Sequence, residues 1–255
     1  MPTMYDKLSG SFSMFGKQLV AGATEYPVWG AQAVYTWPSG PMGMEITSAS
    51  ANDTNTAGTG VRTVQLRYLD GDFVEKTETI ALNGTGVVAT VATDIYRVIG
   101  LKALTVGSGM KAAGLISLRH LADTPLYGYI LASDVETHQC IYTVPAGKTL
   151  ILKKGIAALG SSATGKSSTF VLRSNYDCEN NRQTGIKGVG GFGVYYARHE
   201  TLTMDSAVQL DFTSNRRGGL AFPEKSDIIV TCVGTAAGVG TYYVEGDLVL
   251  NSEVK

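Results

Sequence analysis

No window of twelve or more residues in this chain spaces its apolar side chains at a helical period, whereas short runs of alternating apolar and polar residues recur along it. Period-two alternation puts successive side chains on opposite faces of a pleated backbone, so each run predicts a half-buried strand. Residues 61–82, VRTVQLRYLDGDFVEKTETIAL, set the pattern. Val64, Leu66 and Tyr68 alternate with Thr63, Gln65 and Arg67, and Asp70-Gly71 supplies the turn of a predicted hairpin. Asn83-Gly84 marks the next reversal. Further strands are predicted over residues 95–106, 115–121, 141–144, 148–159, 169–173, 194–198, 208–212, 227–233 and 241–250. The 31 glycines against 7 prolines, with abundant Thr, Val and Tyr, suit many short strands and tight turns. The expected class is all-β, the strand pattern of sandwiches or barrels.

Within 255 residues there is room for one large β-domain or two small ones. Residues 1–40 differ from the rest: Phe12, Phe15, Tyr26, Trp29, Tyr35 and Trp37 follow no fixed period, and a disordered tail would be polar. They predict an extended arm, packed on its own domain or on a neighbouring subunit, with these aromatics as interface residues. Residues 48–60, SASANDTNTAGTG, read as a polar loop. A weak internal match pairs residues 101–119 with 156–173, each an apolar strand, a Gly/Ser/Lys loop and a second strand ending in Leu-Arg. The predicted organisation is therefore the arm followed by two jelly-roll-like β-sandwich modules, residues 41–134 and 135–255.

GSSATGKS, residues 160–167, fits the phosphate-binding pattern G-x-x-x-x-G-K-[ST] through Gly160, Gly165, Lys166 and Ser167. Such a loop works only where a helix begins at the Lys-Ser pair and turns its N-terminus to the phosphates. Here STFVLRSN follows, which alternates as a strand, and no apolar run ending in Asp stands at a β-α-β distance. The match is read as coincidental, the loop as a hairpin connection like its counterpart GSGMKAAG, and no cofactor is expected. The Gly-rich residues 184–196, with Phe192, and SNRRGG, with Arg216 and Arg217, are read as loops available to an interface.

Charge and cysteine usage narrow the function further. A net charge of −1 leaves no electrostatic footprint for nucleic acid or an anionic membrane, and no apolar run is long enough for a membrane helix. Cys140, Cys178 and Cys232 are widely spaced, and His120, His138 and His199 sit on separate segments, so no metal site is expected. No signal peptide is read at MPTMYDKLSG, which points to folding in a reducing cytoplasm. Asp205, Asp211, Glu224 and Asp227 include no pair singled out for glycoside hydrolysis.

Three stretches carry a family resemblance: GTGVRTVQLRYLDGDFVEKTETIALNGT (residues 58–85), YTVPAGKTLIL (142–152) and FPEKSDIIV (222–230). They resemble the β-rich accessory proteins of the head and neck of tailed bacteriophages. The resemblance implies a non-enzymatic virion protein, made in the host bacterial cytoplasm and located on the particle. Its expected partners are itself, as a homo-oligomer such as a trimer, and the major capsid protein or the neck and portal proteins. The expected work is decoration, cementing or collar formation. The alternative is a tail or fibre component binding host-surface carbohydrate through tyrosines such as Tyr195, Tyr196, Tyr242 and Tyr243; a nucleotide-binding enzyme is the remote one.

Overall fold

A computed structural model describes residues 10–20, 24–30, 35–121, 125–160, 167–175, 198–203, 206–213, 219–234 and 238–254. Every regular element among them is a β-strand except one 3-10 turn at Asn251–Glu253, so the chain is all-β. It opens with β1 (Ser11–Val20) and β2 (Tyr26–Pro27). There follow β3 (Met44–Ser48), β4 (Val61–Leu69), β5 (Glu75–Ala81), β6 (Val88–Ala89), β7 (Arg97–Val106), β8 (Ile116–His120) and β9 (Leu126–Ile130). It continues with β10 (Ile141–Thr143), β11 (Lys148–Gly160), β12 (Ser167–Asn175) and β13 (Arg198–Thr203). The last strands are β14 (Ser206–Asp211), β15 (Leu220–Phe222), β16 (Asp227–Gly234) and β17 (Gly238–Leu250). Two compact units form: Tyr35–Thr137, and Met1–Val34 together with His138–Lys255. Limits at 40/41 and 134/135 are those the sequence suggests; the contacts divide the chain at 34/35 and 137/138, and Ser11–Val20 shares a sheet with the C-terminal strands.

The discontinuous unit has a nested topology. Among its eight principal strands, β1 pairs β17, β10 pairs β16, β11 pairs β14 and β12 pairs β13, all antiparallel. First pairs with last, second with seventh, third with sixth and fourth with fifth. Rolling that long hairpin adds the pairs β11–β17 and β12–β16, and yields two sheets, β1-β17-β11-β14 and β10-β16-β12-β13. This is a jelly roll. The short β15 shares the β14 edge of β11, and β2 shares the β10 edge of β16. Inward residues fill the space between the sheets: Leu150, Leu152, Phe170, Leu172, Phe222, Ile228, Val230, Tyr242 and Val244 are all buried. Phe12 meets Tyr142 at 4.6 Å and Phe170 meets Tyr242 at 5.9 Å, each pair joining one sheet to the other.

Inserted after β2 is the second unit, itself a sandwich of β6-β3-β8-β9 against β5-β4-β7. Met44, Ile46, Val64, Leu66, Ile95, Leu101, Ile116 and Leu118 lie in one continuous core. Its polar centre is Asp53, fully buried inside the loop that the sequence marks only as polar. Its Oδ1 accepts from the Val61 and Ala113 N–H groups at 2.8 and 2.9 Å, and its Oδ2 from the Ser48 hydroxyl and the Gly114 N–H at 2.6 and 2.9 Å. One carboxylate thus ties together three segments far apart in sequence. A second knot is Arg97, whose guanidinium lies 4.1 Å from the Tyr96 ring centre and 5.1 Å from that of Trp37, and donates to the Pro38 carbonyl.

Two sequence expectations need correction. The β4–β5 hairpin forms, but Leu69 pairs with Glu75, so Asp70–Val74 is a five-residue loop and not a two-residue Asp-Gly turn. Its left-handed residue is Phe73, at φ 61°, held by burial of its ring against Tyr96. The residue 160–167 connection is likewise no hairpin: β11 and β12 belong to opposite sheets, so the chain crosses between layers there.

Candidate assembly surface

The surface is built by alternation in four strands. In β1, SFSMFGKQLV, the even residues Phe12, Met14, Gly16 and Gln18 point inward and are buried. The odd residues Ser13, Phe15, Lys17 and Leu19 point outward. Strand β17 alternates in the same phase, with Tyr242, Val244, Gly246 and Leu248 inward and Val239, Thr241, Tyr243 and Glu245 outward. In β11 the register slips between Leu152 and Lys154, a bulge that inserts Lys153 and reverses the phase. Even residues face inward before it, odd residues after it, which turns Lys154, Ile156 and Ala158 outward.

Register then aligns the outward residues in rows across the sheet. Phe15, Tyr243, Ile156 and Gln209 form one row, and Lys17, Thr241, Ala158 and Ala207 the next. Leu19, Val239 and Gly160 follow on one side, while Ser13, Glu245, Lys154 and Asp211 form a charged row on the other. Phe15, Leu19, Ile156 and Val239 are 40%, 41%, 47% and 47% exposed, so four large apolar side chains stand on one open sheet face. Exposed apolar residues grouped this way, rather than scattered singly, mark an interaction surface.

The opposite sheet is closed. Almost all of β16 is buried on both of its faces. On its outer side the Arg173 guanidinium donates to Glu25 at 2.8 and 3.1 Å, and the Thr231 hydroxyl donates to the same carboxylate. Thr143 donates to Asp227, and both are buried. Among the described residues the two outer faces of the jelly roll therefore differ in character: β16 is buried on its outer side, whereas β1, β17, β11 and β14 present exposed side chains.

At the bulge a groove of about 330 Å³ opens on the same face, lined by Ser11, Ser13, Lys153, Tyr243, Glu245 and Asp247. Lys153 pairs with Asp247 there, and the Tyr243 hydroxyl donates to Glu245 at 3.1 Å. Burial, the hydrogen bond to Glu245 and the negative charge of that carboxylate push the Tyr243 phenol up.

Of the aromatics singled out in the sequence, Phe15 is on this face, its ring edge-on to His138 at 5.3 Å. Phe12 and Trp29 are buried inside the jelly-roll unit, and Tyr26 is half-buried in β2. Tyr35 and Trp37 pack edge to face at 5.0 Å within the inserted unit. Phe192, Arg216 and Arg217 lie outside the described residues, as do Tyr195, Tyr196, Cys178 and Asp205. Tyr242 is inward and Tyr243 outward, one on each side of the sheet. Gly160 ends β11 and Ser167 begins β12, an extended strand paired on both sides, while Gly165 and Lys166 are outside the described residues. Cys140 and Cys232 are buried free thiols; burial and the nearby Cys232 push Cys140 up, and burial and Glu25 push Cys232 up to about 12. Leu19, Ile156 and Val239 went unrecognised as surface residues, because only register reveals that they share a face.

No protein family and no curated protein matches the sequence. Among solved structures, the chain is similar to the infectious bursal disease virus VP2 subviral particle, at 10% identity and a TM-score of 0.25, covering 98% of this chain and 74% of that one. It is similar in the same measure to the infectious bursal disease virus Gx strain structure, at 10% identity, a TM-score of 0.25, and coverage of 97% and 74%. A TM-score of 0.25 is too low to carry a conclusion about role, so the topology and the open face carry the functional reading.

Proposed function

We propose that this chain is a non-enzymatic virion structural protein that binds the capsid or the head–tail neck as an oligomer and stabilises the particle. The observation behind this reading is the jelly roll with one sheet face left open, on which four large apolar side chains stand exposed beside a charged row. Jelly rolls serve viral shells and lectins, and an open face of aligned Phe15, Tyr243, Ile156, Leu19 and Val239 suits burial against another protein. The partners are further copies of itself and the major capsid, neck or portal proteins. Particles assembled without the chain are expected to lose resistance to heat or osmotic shock, measured as surviving intact particles after the challenge. Unchanged resistance would remove the stabilising role.

The groove beside Tyr243 favours one second reading, a tail or fibre component that takes up a host-surface sugar. An aromatic ring flanked by Glu245, Asp247 and two serines offers a stacking surface with polar partners. A glycan array blank for the wild-type chain would eliminate it.

A further inference from the structure

We infer that the open face of the β1-β17-β11-β14 sheet pairs with the same face of a second copy, around a twofold axis parallel to the strands and passing between β17 and β11. The inference rests on the assembly reading and names the contact it uses. Rotation about such an axis keeps each row at its height and reverses its order. The row Phe15, Tyr243, Ile156, Gln209 then lies on its own reverse, so Tyr243 meets the partner's Ile156 and Ile156 meets the partner's Tyr243. The charged row Ser13, Glu245, Lys154, Asp211 also lies on its reverse. Glu245 meets the partner's Lys154, Lys154 meets the partner's Glu245, and Ser13 meets the partner's Asp211.

The two central strands are complementary to themselves, as an isologous interface requires: Tyr243 faces Ile156, Thr241 faces Ala158 and Glu245 faces Lys154, while at the flanks Phe15 faces the partner's Gln209 and the Lys17 stem lies over the partner's Ala207. An in-plane axis perpendicular to the strands would either move the charged row away from its counterpart or, if laid along that row, set Glu245 against Glu245 and Lys154 against Lys154. Four strands about 4.8 Å apart, over some ten residues at about 3.3 Å rise, cover on the order of 600 Å² in plan. Side-chain relief brings that near the roughly 800 Å² which each partner of a standard stable interface buries. Two sheets stacked with strands within about 30° of each other is an established packing, so neither sheet has to deform.

The test uses the full chain in solution, with mass read by light scattering and fold by circular dichroism. The wild type is expected at twice the chain mass, and Ile156→Asp at one chain mass with an unchanged spectrum. Lys154→Glu and Glu245→Lys, each alone, are expected to weaken pairing at least about tenfold, because each sets like charges across the axis twice. Mixed in equal amounts, those two variants are expected to pair again, since the acidic row of one then faces the basic row of the other. A monomeric wild type, an oligomer indifferent to Ile156→Asp, or a mixture that stays monomeric would overturn the inference. Should Ile156→Asp fail to fold, the mixing experiment decides alone. A dimer that never joins particles removes the virion role and leaves the pairing; a monomer that still joins them does the reverse.

Discussion

Asp53 concentrates more of the inserted unit's stability than any feature of its sequence suggests. Its two oxygens accept four hydrogen bonds from the 48, 61 and 113–114 segments, and no water reaches them. Asp53→Ala leaves three buried donors without their acceptor, the Val61 and Gly114 N–H groups and the Ser48 hydroxyl, each worth about 1–3 kcal/mol, together with the part-buried Ala113 N–H. A loss of at least about 3 kcal/mol is expected in urea unfolding, against a smaller loss for Asp53→Asn, which keeps one acceptor oxygen. A second carboxylate, Asp70, makes its loop sensitive to pH. Burial pushes its carboxyl up, but the Lys76 ammonium and the Val74 and Asp72 N–H groups outweigh this and hold it below the ordinary value of 3.8. A depressed carboxyl stabilises the fold above its unfolded value and loses that contribution as pH falls through its folded one. Asp70→Asn should therefore lower the melting temperature at neutral pH, by the equivalent of about 1 kcal/mol. The gap from wild type should close as the medium is acidified below the ordinary carboxylate range; a gap independent of pH would refute the assignment.

At the scale of elements, β1 shows how a strand escapes detection. Its inward residues include Gly16 and Gln18 and its outward ones Phe15 and Leu19, so apolar residues occupy both phases and the alternation blurs. Gly16 is required by close approach: a Cβ there would stand 2.9 Å from Cys140 Sγ and closer still to the Val28 carbonyl. Gln18 accepts from the Gly30 N–H and so secures the chain just after β2. The ten-residue register with β17 makes this segment part of the sheet, not a detachable arm. The inserted unit behaves oppositely. Around it the jelly roll closes on itself: Val28 donates to Val230, Cys140 to Val28, and Val230 to Cys140, at 2.8, 2.8 and 2.9 Å. Within the insertion both ends run beside β7, Pro38 at Arg97 and Thr137 at Leu101. Replacing residues 35–137 by a short Gly/Ser linker should therefore leave a folded, cooperatively melting protein, whereas deleting residues 1–20 should strip β17 of one of its two neighbours, turn it into an unpaired edge and give insoluble material. Soluble, folded protein from the second deletion would show that β1 is dispensable.

For the whole molecule, the decisive contrast is between the two outer faces of the jelly roll. One is buried along β16, with the Glu25–Arg173 pair and the Thr143–Asp227 pair beneath its surface. The other presents four large side chains at 40–47% exposure in register with one another. A protein of near-zero net charge gains little solubility from self-repulsion, so such a face is expected to be covered in the functional state. The self-matching rows supply a specific cover. Ile156→Asp is accordingly the most informative single change, because it acts on assembly while leaving the core residues in place.

Local alternation was enough to determine that the chain is all-β, to locate most of the strands from residue 95 onward, and to show that an extended strand follows Lys166. These properties reside in neighbouring residues, where a two-residue period or a helical one is set by which face each side chain must bury. What only the tertiary structure decided is how the strands pair. In the jelly roll, nesting first with last brings residues 11–20 beside residues 238–247, and the Lys153 bulge reverses the phase of β11; in the inserted unit, packing gives Asp53 its partners at residues 61 and 113. Such partners are chosen by the packing of distant segments into one core, and a single inserted residue is enough to exchange the faces of a strand. The open face exists only as a product of that registry.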